Sequence, residues 1–280
     1  MSGLTPTQLA TFHEKGYLVI EDYLTPTEVT SLLNETHHLL STFDLDTHPL
    51  TQFTTGDDDT SSPDNKPHVG DDYFLTSGDK LRFFFEPDAI TQDGTLTRPK
   101  QEAVNKIGHS LHTLSPPFKA VSLNARTAAI ARSLRFQDPR LLQSMVICKQ
   151  PRIGGAVPPH RDSEFLYTDP PSAVGFWFAL QDAGPGNATL VMRPGTQGGR
   201  VERRFVRVFG KEGETEEEVL SVKAGSLVLI HGNVLHRSER NAGERSRFAY
   251  TFHMIEGADG WVYDERNWLQ PSEGGFSRVY

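Results

Sequence analysis

His160 and Asp162 stand one residue apart behind the stiff pair Pro158-Pro159. In an extended segment, residues i and i+2 project from the same face, so an imidazole and a carboxylate are aimed at one point. The prolines fix φ and remove two backbone donors, which narrows the approach. Two such groups are half of a metal site. A second histidine from elsewhere in the chain would complete a 2-His-1-carboxylate face suited to non-haem Fe(II). His-x-Asp on its own arises often by chance, so the rest of the chain has to carry the case.

The second half of the chain supplies candidates. Residues 227–230 are apolar and are followed by His231, Gly232, Asn233, Val234, Leu235, His236, Arg237 and Ser238. Arg245 and Arg247 come next, at the head of another strand-like run. A distal histidine and an arginine complete a constellation with His160 and Asp162. Arginine is apt beside a metal that holds an organic acid, because its planar guanidinium pairs bidentately with a carboxylate. The spacing leaves two choices open: His231 or His236 as ligand, and Arg245 or Arg247 as carboxylate partner. His253 shares strand parity with Arg247, which suggests packing or support of the same cavity.

These groups need elements to position them. Thr5-Pro6-Thr7-Gln8 and Thr25-Pro26-Thr27-Glu28 each give an N-cap threonine, proline at the first helical position, and Gln or Glu three residues after the cap. They predict a short helix closed by Gly16 and a longer one carrying Val29, Leu32, Leu33, His37 and Leu40, with a strand over 17–20 between them. His37 and His38 read as helix-surface or packing residues. Residues 41–72 turn to Thr, Asp, Ser, Pro and Gly and predict a surface loop; the run Asp57-Asp58-Asp59 lacks the ligand spacing of a calcium loop. A strand is expected over 81–86, and helix over 105–114, with Lys106 and His109 on one face. More helix is expected over 118–134. Strands follow at 141–149, 174–180, 189–192, 227–230 and 247–254, with alternation at 201–209 and an acidic surface stretch at 212–218. Many short strands bounded by Gly and Pro after a helical first third predict a β-sandwich or barrel with helices packed on it.

The 280 residues read as one domain spanning 1–280, with ordinary proportions of charged (23%) and hydrophobic (36%) residues for a folded chain. A net charge of −8 argues against nucleic acid as partner, since no basic stripe would neutralise phosphates. The lone Cys148 lies in an apolar run, excludes an internal disulfide framework and reads as a small buried hydrophobe. No apolar run approaches the roughly 18 residues of a membrane span. The amino terminus lacks a signal-peptide pattern and the chain ends Ser-Arg-Val-Tyr, not a peroxisomal address, so a cytoplasmic enzyme is expected.

The chain resembles the phytanoyl-CoA dioxygenase family over nearly its full length. Matching stretches include Asp72-Tyr73-Phe74-Leu75, Ser77-Gly78-Asp79-Lys80, Asn105-Lys106-Ile107-Gly108-His109, Phe165-Leu166-Tyr167-Thr168, Leu227-Val228-Leu229-Ile230-His231-Gly232, Tyr250-Thr251-Phe252-His253 and Asn267-Trp268-Leu269-Gln270-Pro271. The resemblance implies a mainly β, double-stranded β-helix (jelly-roll, cupin-like) core with flanking helices. It also implies Fe(II) on His160, Asp162 and His236, with 2-oxoglutarate and O2 as cosubstrates. By the same matching, Arg247 and Ser238 take the far carboxylate of 2-oxoglutarate, and Lys106, Met145, Arg161 and Trp177 line its pocket. The activity implied is oxidative decarboxylation of 2-oxoglutarate coupled to hydroxylation of a small organic or acyl substrate. Two departures stand out: the family's Asn-Gly-Cys/Ala-Leu run is here Asn187-Ala188-Thr189-Leu190, and its Pro-Gly-Ser-His turn is here Pro194-Gly195-Thr196-Gln197, without the histidine. Two rival classes share the ligand set, a zinc-dependent hydrolase with Glu164 as its carboxylate and a non-catalytic metal-bearing jelly-roll. A serine hydrolase has no Gly-x-Ser-x-Gly elbow to stand on.

Overall fold

The computed structural model describes residues 3–53, 72–198 and 216–280. The aspartate run, most of the 41–72 stretch and the expected alternation at 201–209 lie outside them. Both predicted capping boxes form. In α1 (Pro6–Lys15) the Thr5 hydroxyl accepts from Gln8 N and the Gln8 amide oxygen accepts from Thr5 N, while Gly16 closes the helix at φ 78°. In α2 (Pro26–Thr42) Thr25 and Glu28 do the same, and Leu32, Thr36 and Leu40 form the buried face. Between them runs β1 (Tyr17–Ile20).

After α3 (Asp72–Leu75) come β2 (Leu81–Phe85), α4 (Lys100–Ala103) and β3 (Val104–His109). The last of these corrects the sequence reading: residues 104–109 form a strand, and helix is confined to α5 (Leu111–Leu114). Asn105 and Gly108 are poor helix formers, and β3 is hydrogen-bonded on one side to β2 and on the other to β4 (Pro139–Lys149). Sheet pairing on two sides outweighs a local helical pattern. The helix expected over 118–134 is two, α6 (Pro116–Ser122) and α7 (Ala125–Ser133), divided at Asn124, whose side chain accepts from Arg126 N and Thr127 N.

The remaining strands are β5 (Val157–His160), β6 (Thr168–Asp169), β7 (Val174–Ala179), β8 (Leu190–Arg193), β9 (Glu218–Val219), β10 (Leu227–His231), β11 (Leu235–Ser238), β12 (Arg247–Glu256), β13 (Val262–Tyr263) and β14 (Ser277–Arg278). They build an antiparallel large sheet ordered β1-β10-β7-β12-β4-β3-β2, with β14 on β4, and a small sheet ordered β5-β11-β8-β9.

The large sheet sorts its residues by strand parity. One face carries Phe176, Phe178, Leu229, Val146, Cys148, Phe248, Tyr250 and Phe252, packed with Phe12 of α1, Leu32 and Leu40 of α2, Phe118 of α6 and Ile130 of α7. Burial pushes the Cys148 thiol up, in keeping with an inert core residue. The other face carries Trp177, Ala179, Val228, Ile230 and Ala249, which meet Leu190 and Met192 of the small sheet. The candidate ligands come together where these two sheets face each other.

Candidate metal centre and carboxylate pocket

His160 ends β5 and His236 lies directly opposite it on β11, with ring centroids 4.2 Å apart. Each ring is oriented by its own chain two residues back. His160 Nδ1 donates to Pro158 O at 2.9 Å, and His236 Nδ1 donates to Val234 O at 3.1 Å. A carbonyl oxygen only accepts, so in each ring the proton sits on Nδ1 and the lone pair on Nε2. Burial holds the His236 imidazolium acidity at about 4, so this ring is neutral at pH 7.

Asp162 opens a short 3-10 turn, Asp162–Glu164, just after β5. Arg161 between the two ligands is extended (φ −118°, ψ 132°), so the i, i+2 alignment expected of His160 and Asp162 is kept. Asp162 Oδ1 lies 3.6 Å from His160 Nε2 and 3.7 Å from His236 Nε2. The ligand atoms of all three residues fall within 4.8 Å of one another. Burial alone would raise the Asp162 carboxyl; His253, His236 and His160 outweigh it and hold it well below the usual carboxylate range. Both histidines thus turn Nε2, and Asp162 turns Oδ1, toward one point, and this 2-His-1-carboxylate composition fits Fe(II).

Arg247 begins β12 and is 1% exposed. Its Nε and Nη2 donate to Ala188 O at 3.2 and 2.9 Å, while Nη1 is buried with no partner and no carboxylate pairs with it among the described residues. The carbonyl it uses is presented by an unusual backbone: Ala188 has φ 62° and follows Asn187, whose amide donates to Asp182 O and Ser246 O. Burial lowers the Arg247 pKa to about 10, which leaves it charged at neutral pH. Its guanidinium lies 5.4 Å from the Trp177 ring. A buried cation with an open donor fits an incoming carboxylate. Ser238, buried on β11, shares the parity of His236.

The other expected pocket residues are placed less uniformly. Met145 and Trp177 flank Thr251 in a single cross-strand row. Lys106 is buried on β3, two strands from β12, with Nζ 3.3 Å from the Phe53 ring centroid; burial lowers its pKa to about 7. Arg161 donates from Nε to Asn233 O at 3.1 Å and approaches Glu164 at 3.6 Å, tying the β5 exit to the turn before β11. Glu164, the carboxylate a zinc hydrolase would need, is thus engaged by Arg161. His231 lies apart from this cluster: it ends β10 in the large sheet, with its ring 6.0 Å from that of Phe12 and its Nδ1 accepting from Asn233 N. Arg245 is exposed where Arg247 is buried. The sequence marks Ala188, whose carbonyl holds Arg247, only as standing where the family has glycine, in keeping with its φ of 62°; Gly175 and Gln143, which flank His253, carry no local signal.

Fold and site define a class: a 2-oxoglutarate-dependent non-haem iron dioxygenase on a double-stranded β-helix. The family model for phytanoyl-CoA dioxygenase (PhyH) matches residues 12–249. The chain belongs to the phytanoyl-CoA dioxygenase family. It is 41% identical over 286 residues to phytanoyl-CoA dioxygenase domain-containing protein 1 of Bos taurus, covering 97% of each chain. It is 40% identical over 276 residues to a phytanoyl-CoA dioxygenase of Arabidopsis thaliana, covering 95% of this chain and 94% of the other. Among solved structures, the non-haem α-ketoglutarate-dependent epimerase SnoN from nogalamycin biosynthesis shares the fold at TM-score 0.63 and 15% identity, over 92% of this chain and 82% of that one. EctD from S. alaskensis, solved with bound Fe, shares it at TM-score 0.61 and 20% identity, over 91% and 78%.

Proposed function

We propose that this protein uses Fe(II), O2 and 2-oxoglutarate to hydroxylate a C–H bond of a small organic or acyl substrate. His160, Asp162 and His236 would hold the iron. Arg247, with Ser238, would hold the far carboxylate of 2-oxoglutarate, and Met145, Trp177, Lys106 and Arg161 would line the chamber. When bound, iron, 2-oxoglutarate and O2 supply an oxidation in which 2-oxoglutarate loses CO2 to become succinate. The chain's own part is binding and exclusion. Arg247 neutralises a carboxylate in a buried place where bidentate pairing is strong, and Trp177 covers the arginine's face. The carbonyls of Pro158 and Val234 keep both histidine protons away from the metal side.

One observation carries the reading: the ligand atoms of two histidines and an aspartate converge beside a large-sheet face that also carries a buried arginine with an open Nη1. The test is succinate formation from 2-oxoglutarate under aerobic Fe(II) and ascorbate, which should proceed slowly even before a primary substrate is added. Stoichiometric zinc in the purified protein with no succinate formed would overturn the proposal.

A further inference from the structure

Asp162 has one oxygen for a metal and a second that needs a donor. Oδ1 faces the two histidine ligands, and Oδ2 lies 3.3 Å from Nε2 of His253 on β12. His253 is the middle of a row across three strands, with Gln143 of β4 on one side and Gly175 of β7 on the other. Gln143 Nε2 lies 3.3 Å from His253 Nδ1. An amide nitrogen only donates, so Nδ1 accepts, and the single proton of a neutral imidazole falls on Nε2, toward Asp162 Oδ2. The opposite amide orientation would leave a bare Nε2 against a carboxylate, two acceptors face to face. Gly175 provides the space. A Cβ there would sit 3.0 Å from Asp162 Oδ2 and 3.7 Å from His253 Cδ2, so any other residue would press on the carboxylate.

We infer that His253, set by Gln143 and given room by Gly175, is a positioning residue that withholds Asp162 Oδ2 so that Oδ1 alone is offered to the metal; this rests on the metal reading above. The three residues whose ligand atoms meet are His160, Asp162 and His236, and His253 stands behind them. A carboxylate that turned both oxygens inward would occupy a position that a cosubstrate-binding centre has to keep open. The role also gives a function to a buried polar His–Gln pair on this face of the large sheet.

The test is anaerobic Co(II) binding by full-length protein, measured by competition with a fluorescent chelator, with circular dichroism and Tm as folding controls. His253→Leu removes the donor and should weaken Co(II) binding by about 10- to 100-fold, the usual scale for losing an outer partner of a ligand. His253→Gln restores an N–H donor at similar reach and should recover most of that loss. Gln143→Leu leaves His253 in place with its tautomer unset and should give a partial loss with altered Co(II) d–d absorption. Binding by His253→Leu within about two-fold of wild type, against the larger loss expected of an outer-shell partner, would overturn the inference; so would His253→Gln binding as poorly as His253→Leu. Should His253→Leu fail to fold, Gln143→Leu decides, and unchanged affinity and absorption there overturn it. A wild-type chain that binds no Co(II) overturns the metal reading itself, whereas tight wild-type binding with unmoved variants sinks this inference alone.

Discussion

At the scale of single residues, Arg247 and the two candidate distal histidines make the sharpest statements. Arg247 is a buried guanidinium whose Nη1 has no partner among the described residues, while Arg245 is exposed. Removing one member of a buried charge pair costs on the order of 3–5 kcal/mol, roughly two or more decades of affinity. Arg247→Ala should therefore raise the apparent constant for 2-oxoglutarate by at least about two decades with metal affinity near wild type. Arg245→Ala should change it little. Titration of each variant with 2-oxoglutarate checks this, and a loss confined to Arg245 would place the wrong arginine in the pocket. His236→Ala should abolish tight metal binding while His231→Ala leaves it near wild type, because His231 packs on Phe12 outside the ligand cluster. Metal content after dialysis separates the two.

At the scale of elements, the helices support the large sheet from the face opposite the site. α2 contributes Leu32 and Leu40 to the core that also holds Phe248 and Phe252, whereas the ligands sit across the sheet. Stability and metal affinity are thus separable. Thr25→Ala breaks the capping box of α2 and should cost about 1 kcal/mol in denaturant unfolding, with the Co(II) constant unchanged. A parallel fall in metal affinity would show that the helix layer tunes the site. The turn after β8 illustrates a different substitution. Where the family's turn histidine is absent, Gln197 donates to His13 O and Glu14 O at 2.7 and 3.1 Å, and Thr196 accepts from Leu235 N. The turn is fastened to the end of α1 and to the start of β11, the strand that carries His236.

At the scale of the whole molecule, buried neutral histidines set the response to acid. His112, bonded to Ser144, and His236 have pKa values lowered to about 4 by burial, and His109 is lowered well below the ordinary value. The unfolded chain takes up these protons near pH 6.5, and the folded chain resists them until about pH 4. The unfolded state then binds more protons, so stability falls as pH drops through this window. His112 and His236 each contribute on the order of 3 kcal/mol by the time the lower value is reached, at about 1.4 kcal/mol per pH unit. The metal-free protein should lose Tm steadily between pH 6.5 and 4.5, before lowered carboxylates such as Glu217 begin to matter. His112→Gln, remote from the metal ligands in the chain, should flatten part of that slope. A profile flat to pH 4.5 would contradict the burial of these rings. Added metal should raise Tm by mass action, about 2.7 kcal/mol at a hundred times its dissociation constant, and His236→Ala should erase that gain.

The parts of this protein legible in its sequence are those whose physics is local. Thr25-Pro26-Thr27-Glu28 makes its own capping box, His160 and Asp162 share a face because their backbone is extended, and Arg247 has the parity of His253 because strands repeat every two residues. The expected ligand set rests on resemblance rather than on spacing, which leaves His231 beside His236 and Arg245 beside Arg247. The tertiary structure brings His236, not His231, to His160 and Asp162, and buries Arg247 while Arg245 is exposed. His231 ends a strand of the large sheet and His236 lies in the small one opposite His160, and no residue near either histidine encodes which sheet it joins. The segment over 104–109 looks helical by itself and is a strand because β2 and β4 pair with it from both sides. Gln143, His253 and Gly175 are far apart in the chain and meet only because the β4–β12–β7 register puts them in one row. A glycine's missing Cβ has meaning only once Asp162 is beside it. Such pairing is a property of the assembled sheet, in which each strand's partners are chosen by all the others at once.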